Sequence, residues 1–143
     1  MPAAPVVHAV DANVILRHLL GDEPKLSSKA HAIFAALETG DVVLECDPVN
    51  LAEVVWVLAS HYQVGRQQIA ESLSPLVKAP GFRVPNKERY LLALELYGQG
   101  VLRFGDACAC ARALEACDGR LLSFDRKLSR VEGVTRREGV AEG

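Results

Sequence analysis

The sequence predicts a single α/β domain, a largely parallel central sheet flanked by helices, and three observations carry that prediction. Short apolar runs of strand length alternate with longer stretches of helical periodicity along the whole chain, the pattern of βα units in which parallel strands need crossover helices. The breaks between them are small clusters of Gly, Pro, Asp and Asn; none is long enough to act as a linker, and no internal repeat is visible. At 143 residues, 50% hydrophobic and 24% charged, the chain has the size of one globular domain and enough apolar material for a core.

Taken in order, Val6-Val7-His8-Ala9-Val10 reads as a strand buried on both faces that ends at Asp11. A short helix over residues 14–20 is closed by the turn-forming Gly21-Asp22-Glu23-Pro24. The next helix covers residues 26–37, with Ala30, Ile33, Phe34 and Leu37 on one face and a stop at Gly40. Residues 42–44 form a second strand. Asp47-Pro48 then opens a helix as N-cap and first-turn proline, in a region that ends at Gly65. A fourth helix spans residues 67–77, a minimal strand 82–84, and a further helix 88–97 before the break at Gly98 to Gly100. Residues 106–117 are helical, 121–124 form a strand, and Val134-Thr135 adds an edge strand. The domain accordingly covers residues 1–137, and the polar, Gly-bearing residues 138–143 make a frayed tail.

Composition excludes several classes of function. The longest apolar run, Val54 to Ala59, falls far short of the roughly 20 residues of a membrane span, and the first residues lack the layout of a secretory signal, so a cytoplasmic protein is expected. Cys108, Cys110 and Cys117 share one predicted helix, with Cys108 and Cys110 pointing to different sides; free thiols fit better than disulfides. Their spacing offers no loop to bend round zinc and no histidine follows at ligand distance. A formal net charge of −2 argues against binding nucleic acid through one large basic surface, but leaves open an enzyme that reaches RNA through a metal ion.

The acids carry the chemistry. In a parallel sheet, ligands sit beyond the carboxyl ends of the strands. Asp11 follows the first strand and Asp125 the fourth, so both are expected on the same sheet edge, while Asp106 opens a helix. Each of these three, taken singly, also suits a helix N-cap. Glu53 is the sole ionisable residue between Asp47 and His61 in a helix that is apolar nearly all round, which predicts burial. A buried carboxylate marks either an ion pair or a metal site, and the site is the favoured reading. Together the four acids suit a hard cation such as Mg2+ or Mn2+, which favours carboxylate oxygens and assists attack on phosphodiesters. No phosphate-binding Gly-rich loop, His-Glu-x-x-His or Gly-x-Ser-x-Gly is present, and none of His8, His18, His31 and His61 is assigned to catalysis. Arg126, Lys127, Arg130, Arg136 and Arg137 either contact phosphates or form a solvated charged surface.

The stretches Asp11-Ala12-Asn13-Val14-Ile15-Leu16-Arg17 with Gly21-Asp22-Glu23-Pro24, Leu51-Ala52-Glu53-Val54-Val55-Trp56-Val57-Leu58, Phe104-Gly105-Asp106-Ala107 and Ser123-Phe124-Asp125-Arg126-Lys127-Leu128 occur in this order across almost the whole chain. In them the sequence resembles PIN domains, and within that family the VapC-type toxins of toxin-antitoxin pairs. The resemblance implies a parallel sheet with acids gathered in one groove and Mg2+- or Mn2+-dependent endonucleolytic cleavage of RNA. It implies that Asp11, Glu53, Asp106 and Asp125 hold metal and orient water, with Asn13 and Ser123 as supporting polar groups. It further implies a homodimer neutralised by a small antitoxin protein. Ala12 stands where the family often has a hydroxyl, and Ser123 where it commonly has Thr. Two alternatives remain: a receiver-type Mg2+-binding phosphoacceptor domain, which would need paired acids after the first strand, and a catalytically inactive PIN-like RNA-binding module.

Overall fold

In the computed structural model, which describes residues 4–140, β1 (Val6–Val10) leads into α1 (Ala12–Leu20) and α2 (Pro24–Thr39), and β2 (Val42–Cys46) into α3 (Pro48–Ser60) and α4 (Arg66–Lys78). β3 (Phe82–Arg83) then leads into α5 (Lys87–Gln99) and α6 (Phe104–Ala116), and β4 (Arg120–Leu122) is followed by a short 3-10 helix (Arg126–Arg130) and β5 (Thr135–Arg137). Of the expected tail, residues 138–140 are exposed and 141–143 lie outside the described residues.

Local chemistry accounts for most of these boundaries. Gly21 and Gly40 close α1 and α2 in the left-handed region, with φ of 63° and 83°, and donate back to carbonyls of the last turn. The Asp47 carboxylate accepts the Val49 amide at 3.0 Å ahead of Pro48, the N-cap and first-turn proline that the sequence specifies.

Every strand pair is parallel, as expected, but the sheet is divided. β1, β2 and β3 pair in that order, with Val10 opposite Cys46, whereas β4 pairs with β5 in a separate ladder. Hydrophobic runs fix which segments extend; they do not fix which neighbour a three-residue strand joins. The expectation that β1 is buried on both faces is also corrected. Val10 alone of its residues is buried, while Val6 and Val7 remain about half exposed, because burial of a strand's side chains depends on what packs above and below the sheet and not on the apolar run itself. A cavity of about 750 Å3, lined by Val10, Val14, Ile33, Leu44, Asp11 and Asn50, also lies open against this part of the sheet.

The core gathers where helices cover the central strand. Leu44 and Cys46 of β2 join Ile15, Phe34, Leu51, Val54, Ile69, Leu73, Phe82, Leu94 and Cys110 in one continuous cluster. Between α5 and α6, the buried Arg89 directs Nε and Nη2 onto Glu115 Oε1 at 3.0 and 2.6 Å. The cysteines are free, and burial pushes the Cys46 and Cys108 thiols up to about 11, which keeps them un-ionised and unreactive. No helix among the described residues is long and apolar enough to cross a membrane.

Two measurements test this packing. Phe82 is fully buried, so Phe82→Ala is expected to cost about 3–5 kcal/mol in urea denaturation, the usual result of emptying an aromatic site in a packed core. His18 stacks on Phe34 with ring centroids 4.3 Å apart and sets its Nδ1 2.8 Å from His31 Nδ1. Burial, and secondarily the charge of His31, hold its pKa below the ordinary histidine value. The unfolded chain therefore takes up the proton more readily, so stability is highest above the unfolded pKa of about 6.5 and falls as pH drops through it. Melting temperature is expected to decline between pH 7 and pH 5, and His18→Gln to shrink that decline; identical slopes for the two proteins would count against it.

Candidate active site

Asp11 and Asp47 each follow one of the register partners Val10 and Cys46, at the carboxyl ends of adjacent parallel strands. Asp11 is exposed and caps α1, its Oδ1 accepting the Val14 amide at 3.1 Å. The neighbouring Ala12 amide donates to Asn50 Oδ1, also at 3.1 Å, so a side chain from the first turn of α3 ties the starts of two helices together. Sequence reasoning missed Asn50. No local signal marks it, because the amide it accepts lies 38 residues away on another helix.

Glu53 is exposed, which corrects the expectation of a buried carboxylate. The α3 sequence is apolar nearly all round, but only the stripe Leu51, Val54, Val55 and Leu58 is buried, leaving Val49, Ala52, Glu53 and Trp56 facing solvent. Among the described residues no cation pairs with Glu53, so the ion-pair reading has no partner.

Asp106 is half-buried in the first turn of α6, where the helix dipole favours an anion. It is not the N-cap; that position belongs to Arg103, which makes no side-chain capping bond. α6 packs on α3, and Asp106 lines a groove of about 560 Å3 with Ala52, Trp56, Tyr97, Arg66 and Arg103.

Asp125 caps the 3-10 helix, accepting the Lys127 amide at 2.9 Å, while Ser123 Oγ accepts the Asp125 amide at 3.0 Å. Ser123 thereby braces the turn that carries this acid; Asn13 is exposed on α1. Because β4 lies outside the β1 sheet, Asp125 does not emerge on a shared edge with Asp11 as expected. Of the basic residues near it, Arg136 is already committed, donating to Ser129 Oγ, the Ser123 carbonyl and Glu138 at 2.7–2.8 Å.

α3 is the element common to these positions. Asn50 lines the larger cavity with Asp11, Ala52 and Trp56 line the groove with Asp106, and Glu53 lies on the exposed side of the same helix. The oxygen donors suit a hard dication chemically. Among the described residues, however, no three His, Cys, Asp or Glu side chains stand close enough together to hold a metal ion, so ligation by the set requires these side chains to draw in.

Parallel βα units with acids beyond strand ends and at helix starts define an α/β protein with carboxylates where such folds place ligands. Residues 9–134 match the PIN domain, and the chain belongs to this family, whose fold is generally that of nucleases. The matched region includes all of Asp11, Glu53, Asp106 and Asp125 and leaves the receiver-type alternative without support. Comparison with curated proteins gives no match.

Two substitutions separate structure from chemistry at this site. Glu53→Gln is expected to change stability by less than about 0.5 kcal/mol, as is usual for exposed positions, and a large loss in thermal melting would refute the exposed placement. Asn50→Ala removes the acceptor for the part-buried Ala12 amide and should destabilise by about 1–2 kcal/mol in the same assay.

Proposed function

We propose that the protein is a metal-dependent endoribonuclease, the toxin of a VapBC-like toxin-antitoxin pair, in which Asp11, Glu53, Asp106 and Asp125 form the acidic set. The observation that carries this reading is the meeting of the acid-bearing elements on α3: Asp11 across its first turn through Asn50, Asp106 along its outer groove, and Glu53 on its exposed side.

The chain's own part in such a reaction follows from these placements. The Asp11 carboxylate is held by the Val14 amide through Oδ1, which fixes its orientation and leaves Oδ2 to a ligand. Asp106, in the first turn of α6, presents its carboxylate to the groove, where it can accept a hydrogen bond from water. Asp125, held in its turn by Ser123 and by its own cap, acts from the periphery of the set. When bound, Mg2+ or Mn2+ supplies charge neutralisation at the phosphodiester and a more acidic water. A homodimer and a small antitoxin that blocks the acidic groove complete the proposal on the strength of the resemblance to VapC-type toxins.

Incubation of the purified protein with labelled RNA in Mn2+, Mg2+ or EDTA tests this. Cleavage is expected with either metal and not in EDTA. Asp11→Asn retains a good capping residue, so the fold should survive while cleavage falls by two orders of magnitude or more; Asp106→Asn and Glu53→Gln should do the same. Asp125→Asn should be milder. Undiminished cleavage by Asp11→Asn would remove the nuclease assignment, and unaffected growth of a bacterial host expressing active enzyme would remove the toxin.

A further inference from the structure

The groove between α3 and α6 is unusual in what lines it. Trp56, the single tryptophan of the chain, is 66% exposed beside it, although an indole of this size is ordinarily covered. Two cations share the groove without a carboxylate partner among the described residues. Arg66 lies 4.7 Å over the Tyr97 ring and donates to the backbone carbonyl of Leu102, so it forms a fixed positive wall. Arg103 is exposed at the start of α6, and its side chain makes no capping bond there and no ion pair among the described residues. In a protein of net charge −2, an aromatic face next to two uncompensated guanidinium groups and one acid is a specific arrangement.

We propose that this groove binds one unpaired nucleotide of single-stranded RNA, its base stacked on the Trp56 indole and its phosphate against Arg103. The assignment deepens the nuclease reading above and rests on it for the role of Asp106. Aromatic stacking accepts any base and requires the base to be out of a duplex, while an arginine supplies the charge that holds the backbone. An apolar partner surface on the same face would instead leave Arg103 desolvated without an anion, a cost that phosphate removes. A groove of about 560 Å3 accommodates a nucleotide, and Asp106 on its wall puts the neighbouring phosphodiester beside one carboxylate of the set. Trp56 is thus a positioning residue: it sets which linkage is presented and touches no reacting atom.

Because no other tryptophan is present, tryptophan emission, excited at the red edge where tyrosine does not absorb, reports this site alone. Titration of the full-length protein in EDTA with a short single-stranded RNA should quench the emission to saturation, and the same sequence as a blunt duplex should not. Arg103→Ala should weaken the binding and lower the slope of log affinity against log salt by roughly one phosphate contact. In Mn2+, Trp56→Ala should raise KM about tenfold or more with kcat within about twofold, and Trp56→Phe should restore most of the loss. Quenching by duplex as strong as by single strand, emission that changes only with the protein's own concentration, or a wild-type KM for Trp56→Ala would each overturn the proposal; the second would mark the face as an interface between copies. Saturable quenching without any cleavage would leave the groove standing and remove the nuclease.

Discussion

The seating of α3 is the constraint on which the rest of the arrangement depends. Leu51, Val54, Val55 and Leu58 are almost wholly buried, and they fix the rotation of the helix about its own axis. Once that stripe is inside, helical periodicity leaves Val49, Ala52, Glu53 and Trp56 outside. At its start, Asp47 caps it and Asn50 fastens it to the first turn of α1, so its axial position is fixed too. The packing of α1 on one side and α6 on the other then brings the starts of two acid-bearing helices to the same support.

Capping and chemistry are not rivals at these acids. Asp11 and Asp125 each spend one carboxylate oxygen on a backbone amide, which holds the side chain in place and satisfies a helix N-terminus. Lys127 Nζ, 4.0 Å from Asp125 Oδ2, adds only a weak exposed attraction. The same carboxylates are thereby oriented without being neutralised. Asp106 needs no cap of its own because it sits inside the first turn, where the dipole favours it.

The division of the sheet separates the acids: Asp11 and Asp106 border α3 and Glu53 lies on it, while Asp125 follows a strand of the second ladder. β1 pairs on one side only, and β4 pairs with β5, so Asp11 and Asp125 belong to different ladders. Open space follows from this. The larger cavity adjoins β1, and the groove with Trp56 and Arg103 opens between helices, so apolar and charged surface stay accessible in the neighbourhood of the acids.

The sequence by itself determined the α/β class, the order of the elements and most of their ends, because periodicity, Gly stops and the Asp47-Pro48 start act over a few residues. It also singled out the four acids, three because a carboxylate after a strand or at a helix start is conspicuous without neighbours, and Glu53 because it is the one ionisable residue in an apolar helix. Tertiary structure decided what local pattern does not encode. An apolar run reports hydrophobicity and not coverage, so β1 was expected to be buried and is largely exposed, and Glu53, surrounded in sequence by apolar residues, lies on the open side of its helix. Which strand joins which sheet, the bond from Asn50 to Ala12, and the meeting of Trp56, Arg103 and Asp106 in one groove all link residues tens of positions apart. Those contacts exist only once the core has fixed how the helices pack, since burial energy depends on total apolar area and selects partners only through shape.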